Sequence, residues 1–203
     1  MIKKSEVVNH FHYNWWSYVA YALVIVIVWV AIFNALAQPK DYEKIGISYV
    51  GENLDCDLLA KTLYDEFPNL TEQKIKKVNT EKIEASGIYT VGDIISTRVL
   101  GISDFILWEG DVPDGIENFF VQLDQDKIKS VLGEVEFCMI DGKAYGFMVY
   151  DGHSNINFAD IYSGSKQVWV FVSGASVNFA GTNGNSSEYD SALVALKYLM
   201  EQK

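Results

Sequence analysis

The sequence is poor in the residues on which zinc sites and nucleic-acid interfaces depend. Only two cysteines, Cys56 and Cys138, occur in 203 residues, with no C-x-x-C pair and no Cys/His cluster, which argues against a structural zinc site. Basic residues number 16 against 27 acidic ones, and Arg98 is the single arginine, a composition typical of low-GC bacterial genomes. Because nucleic-acid binding needs a cationic surface, a net charge of −11 argues against that class.

Charged residues are also missing from residues 7–39, and this gap is the strongest signal in the chain. Residues 15–33 form a nearly continuous apolar run, and about 20 such residues cross the hydrocarbon core of a bilayer as a helix. We therefore predict a cytoplasmic N-terminus over residues 1–14 and a transmembrane helix over residues 15–37. Four aromatic residues at the start of the run fit the belt at a membrane interface: Trp15, Trp16, Tyr18 and Tyr21.

Two features of this segment leave alternatives open. The tripeptide 35–37 has an A-x-A pattern, so cleavage after Ala37 is possible, but the apolar run exceeds the usual core of a signal peptide and favours an uncleaved anchor. Lysines flank the run equally, two on each side, so the positive-inside rule is undecided. The free amino terminus favours a cytoplasmic N-terminus, which places the remaining domain outside the cytoplasm.

Residues 45–203, after a linker over residues 38–44, carry strands that alternate with amphipathic helices, the pattern of an α/β layer sandwich. Asp55 is the expected cap of the first helix, which Pro68 is expected to stop. The turn 141–142 (D-G) predicts a hairpin. The predicted strands are 45–50, 75–84, 104–108, 135–140, 144–150 and 168–172, and the predicted helices are 55–67, 90–102, 126–132 and one from Ser187 to Met200.

Several short motifs occur in the order found in one known family. They are D-F-I-L at residues 104–107, F-V-Q-L-D at 120–124, D-G-K-A-Y-G at 141–146, and the strand 168–172 with the helix that follows it. This series resembles the first lobe of the type 2 extracellular solute-binding proteins of bacterial ABC transporters, the periplasmic-binding-protein type 2 fold. The resemblance implies a one-lobe version of that fold and identifies residues 168–172 as the family's return segment.

The chain departs from that family at the position of the second lobe. Two-lobed members insert a hundred or more residues after the hairpin, whereas only residues 151–167 separate the hairpin from the next strand here. An independent domain rarely folds with so few residues. The lipid-anchored cysteine usual in the family is also missing. Closure of two lobes on a solute is therefore not expected of this chain.

Ligands of open α/β sheets bind at the carboxyl ends of strands, so the end of the strand 104–108 is the first candidate for a binding site. The polar loop over residues 174–185 is the second. The acidic spacing of Asp111, Asp114 and Glu117 lacks the order of a calcium loop, and we expect a solvated loop and no metal. The candidate ligand- or partner-binding residues are Trp108, Glu109, Asp111, Asp114, Asn178 and Asn183.

A catalytic set is not evident. Cys138 and His153 form the one Cys/His combination of the domain, and Cys138 lies in an apolar strand where an inert thiol is expected. A disulfide between Cys56 and Cys138 remains open, with two buried thiols favoured. We expect no cofactor. The leading hypothesis is a membrane-anchored accessory module with a protein partner in the cell envelope; the alternatives are a small-molecule sensor and a hydrolase.

Overall fold

The computed structural model describes residues 4–72, 74–83, 91–96, 103–153, 161–179 and 190–201, with backbone only for residues 4–13, 91 and 94. It separates into two units, residues 1–38 and residues 39–203.

The first unit is one long helix, α1 (Lys4–Ala37, 34 residues). Its segment Asn14–Ala37 has a mean hydropathy of 2.6 and buries none of its residues, so it is long and apolar enough to cross a membrane. The predicted span is thus a helix, and the helix also extends back through the segment predicted to be a short N-terminus. Pro39 lies just beyond its last turn, where proline disfavours helical geometry in the preceding residue.

The second unit is built on one six-stranded sheet in the order β2-β1-β3-β6-β5-β4. Strand β1 is parallel to β2 and β3, whereas β6 is antiparallel to β3 and β5, and β4 to β5. The strands are β1 (Lys44–Val50), β2 (Lys77–Ile83), β3 (Phe105–Glu109), β4 (Phe137–Ile140), β5 (Lys143–Tyr150) and β6 (Val168–Val172). The helices are α2 (Cys56–Leu70), α3 (Val91–Ile94), α4 (Gln125–Leu132) and α5 (Ser191–Glu201).

Both faces of this sheet are covered, because β6 is apolar throughout and β3 is apolar and buried from Phe105 to Trp108, with only its last residue, Glu109, charged. Alternation along β3 sends Phe105 and Leu107 to one face and Ile106 and Trp108 to the other. The first face packs against apolar residues of α2, α4 and α5, and the second against the shorter segments 91–96 and 112–120. The mixed α/β class and the strand predicted over residues 104–108 are confirmed, and this strand lies in the interior of the sheet.

The helix caps follow the sequence closely. The side chain of Asp55 accepts a hydrogen bond from the N–H of Leu58 at 2.9 Å, and Asp124 caps α4 in the same way at 3.1 Å from the N–H of Lys127. The prediction that Pro68 stops α2 is wrong: the helix was expected to end at residue 67 and ends three residues later. Pro68 lies in the last turn, and the helix continues to Leu70.

The predicted hairpin is present, with Asp141 at φ 50° and Gly142 at φ 75° in the turn. Positive φ at both positions is the geometry of a type I′ turn, which explains the D-G pair. The predicted linker contains a 3₁₀ turn, Asp41–Glu43, and β1 already begins at its last residue. The predicted start of the last helix and most of the predicted helix 90–102 lie outside the described residues.

Candidate functional site

The crevice between the ends of β1 and β3 is the topological switch point of the sheet. From β1 the chain passes through α2 to β2 on one side, whereas β3 lies on the other side of β1. Open α/β sheets bind ligands outside the carboxyl ends of the strands at such a point. Here the crevice is bordered by the loop Gly51–Asn53, which follows β1, and by Glu109, the last residue of β3.

The carboxylate of Glu109 fills this crevice and accepts hydrogen bonds from the loop. Its Oε1 accepts from the side-chain amide of Asn53 at 2.6 Å. Its Oε2 accepts from the hydroxyl of Tyr49, from the N–H of Glu52 at 2.9 Å and, more weakly, from the N–H of Asn53 at 3.4 Å. The N–H of Asn53 also donates to the hydroxyl of Tyr49 at 3.0 Å. Each carboxylate oxygen therefore has its own donors.

Gly51 makes this close approach possible. A β-carbon at position 51 would overlap both the Glu109 carboxylate and the Tyr49 hydroxyl. Only a residue without a side chain lets the carboxylate lie against the backbone here.

The hydrogen bonds decide the ionisation of the groups in the crevice. Burial raises the pKa of Glu109, but hydrogen bonds from Tyr49, the Glu52 N–H, Asn53 and Tyr162 outweigh it and lower the pKa to about 2. Burial and the neighbouring carboxylate raise the pKa of both Tyr49 and Tyr162. At neutral pH the crevice thus contains an ionised carboxylate held by neutral donors.

Residues 161–163, which precede β6 in the sequence, bond back to the same loop. The N–H of Asp55 donates to the carbonyl of Ile161, and the N–H of Ser163 donates to the carbonyl of Asn53, each at 2.9 Å. Tyr162 forms an isolated bridge with Leu54, and its ring meets Tyr150 edge-on at 5.3 Å between centroids. Residues 161–163 are therefore joined to the segment that follows β1.

An open cleft of about 700 Å³ lies beside the crevice. Several of its donors are used within the chain: Lys82 Nζ donates to the carbonyl of Glu52 at 2.5 Å, and the hydroxyl of Thr80 donates to the carbonyl of Cys56 at 3.0 Å. The cleft is lined by Glu52, Asn53, Leu54, Asp55, Cys56, Asp57, Thr80, Lys82, Ile161, Tyr162 and Ser163.

Four of the predicted site residues lie at this end of the sheet. Trp108 is 7% exposed and packs in the second apolar cluster, with its Nε1 donating to the carbonyl of Asp111 at 3.0 Å. Asp111 and Asp114 are exposed in the following loop. Glu109 and Asp111 border a second cavity of about 490 Å³, together with Gly110, Asp151, His153, Ser165, Lys166 and Gln167. Trp108 is thus a buried residue that holds the loop after β3 through its hydrogen bond to Asp111.

Asn178 lies at the opposite end of β3, so the structure does not bring it together with Trp108. Its amide is fully buried and donates to the carbonyl of Lys44 at 2.8 Å and to Asp104 at 3.2 Å. Asp104 also accepts from the N–H of Gly46 and from Ser176 Oγ, at 2.9 and 2.7 Å, and burial raises its pKa. This cluster joins the beginnings of β1 and β3 to the segment 173–178. Asn183 lies outside the described residues.

The remaining polar candidates do not assemble into a metal site within the described ranges. No group of three or more His, Cys, Asp or Glu side chains there has an arrangement that holds a metal ion. Arg98 and residues 180–185 of the predicted recognition loop lie outside those ranges.

Both cysteines are free thiols, so the disulfide left open by the sequence is not formed. Burial raises the pKa of Cys56 to about 11, and burial together with Glu117 raises that of Cys138. Cys138 pairs with Gly146 on β5, and His153 follows the end of that strand at Tyr150. The four residue steps along β5 from Gly146, the partner of Cys138, to Tyr150, the end of the strand, span about 13 Å.

The residues at and after the end of β1, which form one side of the crevice, were not predicted as site residues. Tyr49, the loop Gly51–Asn53 and Tyr162 were not candidates, although the first two flank the end of a predicted strand. The strand-end rule that selected Glu109 applies equally to residues 51–53 after β1. Comparison of the chain with protein-family models, curated proteins and solved structures gives no match.

Proposed function

We propose that this chain is a single-pass membrane protein whose α/β domain acts outside the cytoplasm as a non-catalytic accessory module of an envelope assembly, such as a transporter. The apolar helix Asn14–Ala37 supports the anchor. The domain's partner would cover the carboxyl ends of β1 and β3, the edge that carries Glu109, Asp111 and Asp114.

The observation that carries this proposal is the saturated switch point. A solute receptor of this class presents free donors where the strands end, and a solute satisfies them. Here Glu109 already bonds the N–H groups of Glu52 and Asn53 and the side chains of Tyr49 and Asn53. Displacing an ionised, hydrogen-bonded carboxylate costs a solute several kcal/mol, about 1.5–3 kcal/mol for each charge-assisted bond. A protein partner that contacts the outer surface of this edge does not have to displace the Glu109 carboxylate.

The connection after the hairpin also supports a module that does not close on a solute. In the two-lobed solute-binding proteins that the chain resembles, the second lobe occupies this position. Here residues 161–163 instead bond to Asn53 and Asp55, in the segment that follows β1. The placement of β6 beside β3, antiparallel to it, is consistent with the return segment that the resemblance implies.

A second candidate function is small-molecule binding, which the cleft of about 700 Å³ favours, since ligand sites commonly have volumes of about 300–1,000 Å³. A hydrolase has less support. The raised pKa of the Cys138 thiol is the opposite of what a nucleophile requires, and the strand β5 separates it from His153.

Site-specific photo-crosslinking in the cells that make the protein tests the proposal. A crosslinking amino acid replaces Leu58, which is 39% exposed in the first turn of α2 and follows directly on the cleft-lining residues 55–57. The matched control is Val177, which is 41% exposed at the opposite edge of the sheet. We expect one recurring protein adduct from position 58 and not from position 177. Equal labelling from both positions, or from neither, would contradict the proposed interface.

A thermal-shift screen of the full chain in detergent tests the second candidate. Amino acids, sugars, peptides and metal ions are added in turn, because a solute at 100 times its Kd adds about 2.7 kcal/mol to the free energy of unfolding. We expect no stabilisation. A saturable shift that is lost when Lys82 is replaced by Met would instead establish a receptor.

A further inference from the structure

The structure assigns a carboxylate-binding site to the loop Gly51–Asn53, and we propose that Glu109 is its built-in ligand. On this view the loop, Tyr49 and Tyr162 form a receptor for any carboxylate that reaches them. A carboxylate from outside the chain enters only when Glu109 is withdrawn or removed. The proposal concerns the crevice on which the proposed function rests, but it does not depend on a protein partner.

The arrangement of donors fits a carboxylate in particular. One oxygen faces the amide of Asn53 at 2.6 Å, and the other faces the N–H of Glu52 at 2.9 Å and the hydroxyl of Tyr49. One of these donors is a backbone N–H and another is the hydroxyl of the fully buried Tyr49, so the fold positions both before any ligand arrives. Gly51 removes the side chain that would otherwise occupy the space of the carboxylate.

Glu109 excludes external carboxylates because it is part of the same chain and is held next to the loop by its strand. It is the last residue of β3 and pairs with Val168 on the neighbouring strand, so its position is held by the sheet. A group that is held in a favourable orientation within one molecule can have an effective concentration far above 1 M, up to about 10⁵ M or more. Free acetate at 100 mM therefore does not compete with it in the wild-type protein.

Chemical rescue tests the proposal. The substitution Glu109→Ala keeps the β-carbon and removes two carbons and two oxygens, the heavy atoms of acetate. In the full chain in detergent, we expect Glu109→Ala to unfold at a lower temperature and acetate to restore part of the loss. Acetate at about five times its Kd would raise Tm by roughly 2–4 °C for a domain of this size.

Glu109→Gln is the matched control, because it loses the charge but keeps the crevice filled. We expect it, like the wild type, to show no response to acetate beyond that to sodium chloride at the same ionic strength. Formate, which lacks the methyl group, should rescue Glu109→Ala less than acetate does. If acetate stabilises all three proteins equally, or does not stabilise Glu109→Ala more than chloride does, the site is not a carboxylate receptor.

A measurement on the wild type decides the matter if Glu109→Ala does not fold. The N–H groups of Glu52 and Asn53 should exchange with deuterium more slowly than the N–H of His153, whose partner Asp151 is in an exposed turn. Exchange of Glu52 and Asn53 at the rate of an unstructured chain would overturn the proposal. Failure of either experiment leaves the crosslink from position 58 unaffected, so this proposal and the proposed function can fail separately.

Discussion

Replacing Glu109 by glutamine should destabilise the domain at neutral pH and leave it unaffected in acid. The difference between the ordinary pKa of 4.5 and a pKa of about 2 corresponds to roughly 3 kcal/mol of preference for the ionised form in the folded chain. Because Glu109 is partly exposed to water, screening reduces this to about 1–2 kcal/mol. We therefore expect Glu109→Gln to lower the free energy of unfolding by about 1–2 kcal/mol at pH 7.

The pH dependence gives this prediction its sign. A carboxyl whose pKa is lowered on folding stabilises the protein above its unfolded pKa, and the contribution is lost as pH falls through the folded pKa. The gap between wild type and Glu109→Gln should thus be full above pH 4.5 and shrink as the pH approaches 2. The gap shrinks because residue 109 takes up a proton in the wild type, whereas glutamine at that position does not titrate.

Urea unfolding of the full chain in detergent, followed by tryptophan fluorescence at several pH values, measures this gap. Glu52→Gln is the control, since it makes the same charge change at an exposed neighbour and leaves the backbone N–H of residue 52 in place. A gap below about 0.5 kcal/mol at pH 7, the range of ordinary surface substitutions, would show that the hydrogen bonds to Glu109 do not stabilise its ionised form. A gap of equal size at pH 3 and pH 7 would show the same.

Two further predictions concern the opposite edge of the sheet and the anchor. Asn178→Ala should lower the free energy of unfolding by about 2–3 kcal/mol, because it removes the side-chain donor to the carbonyl of Lys44 and one of the donors to the buried carboxylate of Asp104. Asn118→Ala, at an exposed position, should cost under about 1 kcal/mol in the same urea titration. A chain that carries both Val24→Lys and Val28→Lys should lose about 5–7 kcal/mol of membrane-insertion free energy and be released on carbonate extraction. Leucine at both positions should leave the chain in the membrane.

Local signals made most of the fold predictable. The D-G pair specifies its turn, Asp55 and Asp124 cap their helices, and the uniform apolar run of β3 indicates a strand buried on both faces. Each of these depends on residues close together in the sequence. The end of α2 was less predictable, because a proline in the last turn removes a hydrogen bond without stopping the helix.

The candidate site was only half predictable, because its other half depends on long-range pairing. Glu109 was selected as the end of β3, but its partners Tyr49 and Tyr162 are 60 and 53 positions away. Nothing local to Asn178 distinguishes a recognition loop from a buried amide that joins two strands. These assignments follow from the order of strands in the sheet, which periodicity and turn residues do not specify.

The direct test of the central claim is the titration of Glu109 in the wild-type protein. The side-chain carboxyl carbon of Glu109, labelled with ¹³C and assigned by comparison with Glu109→Gln, is followed by NMR as the pH is lowered. We expect a midpoint near pH 2, because the carboxylate is held by the loop after β1. A midpoint near 4.5, the ordinary value for glutamate, would show that the crevice does not hold Glu109 and is open to a ligand from outside.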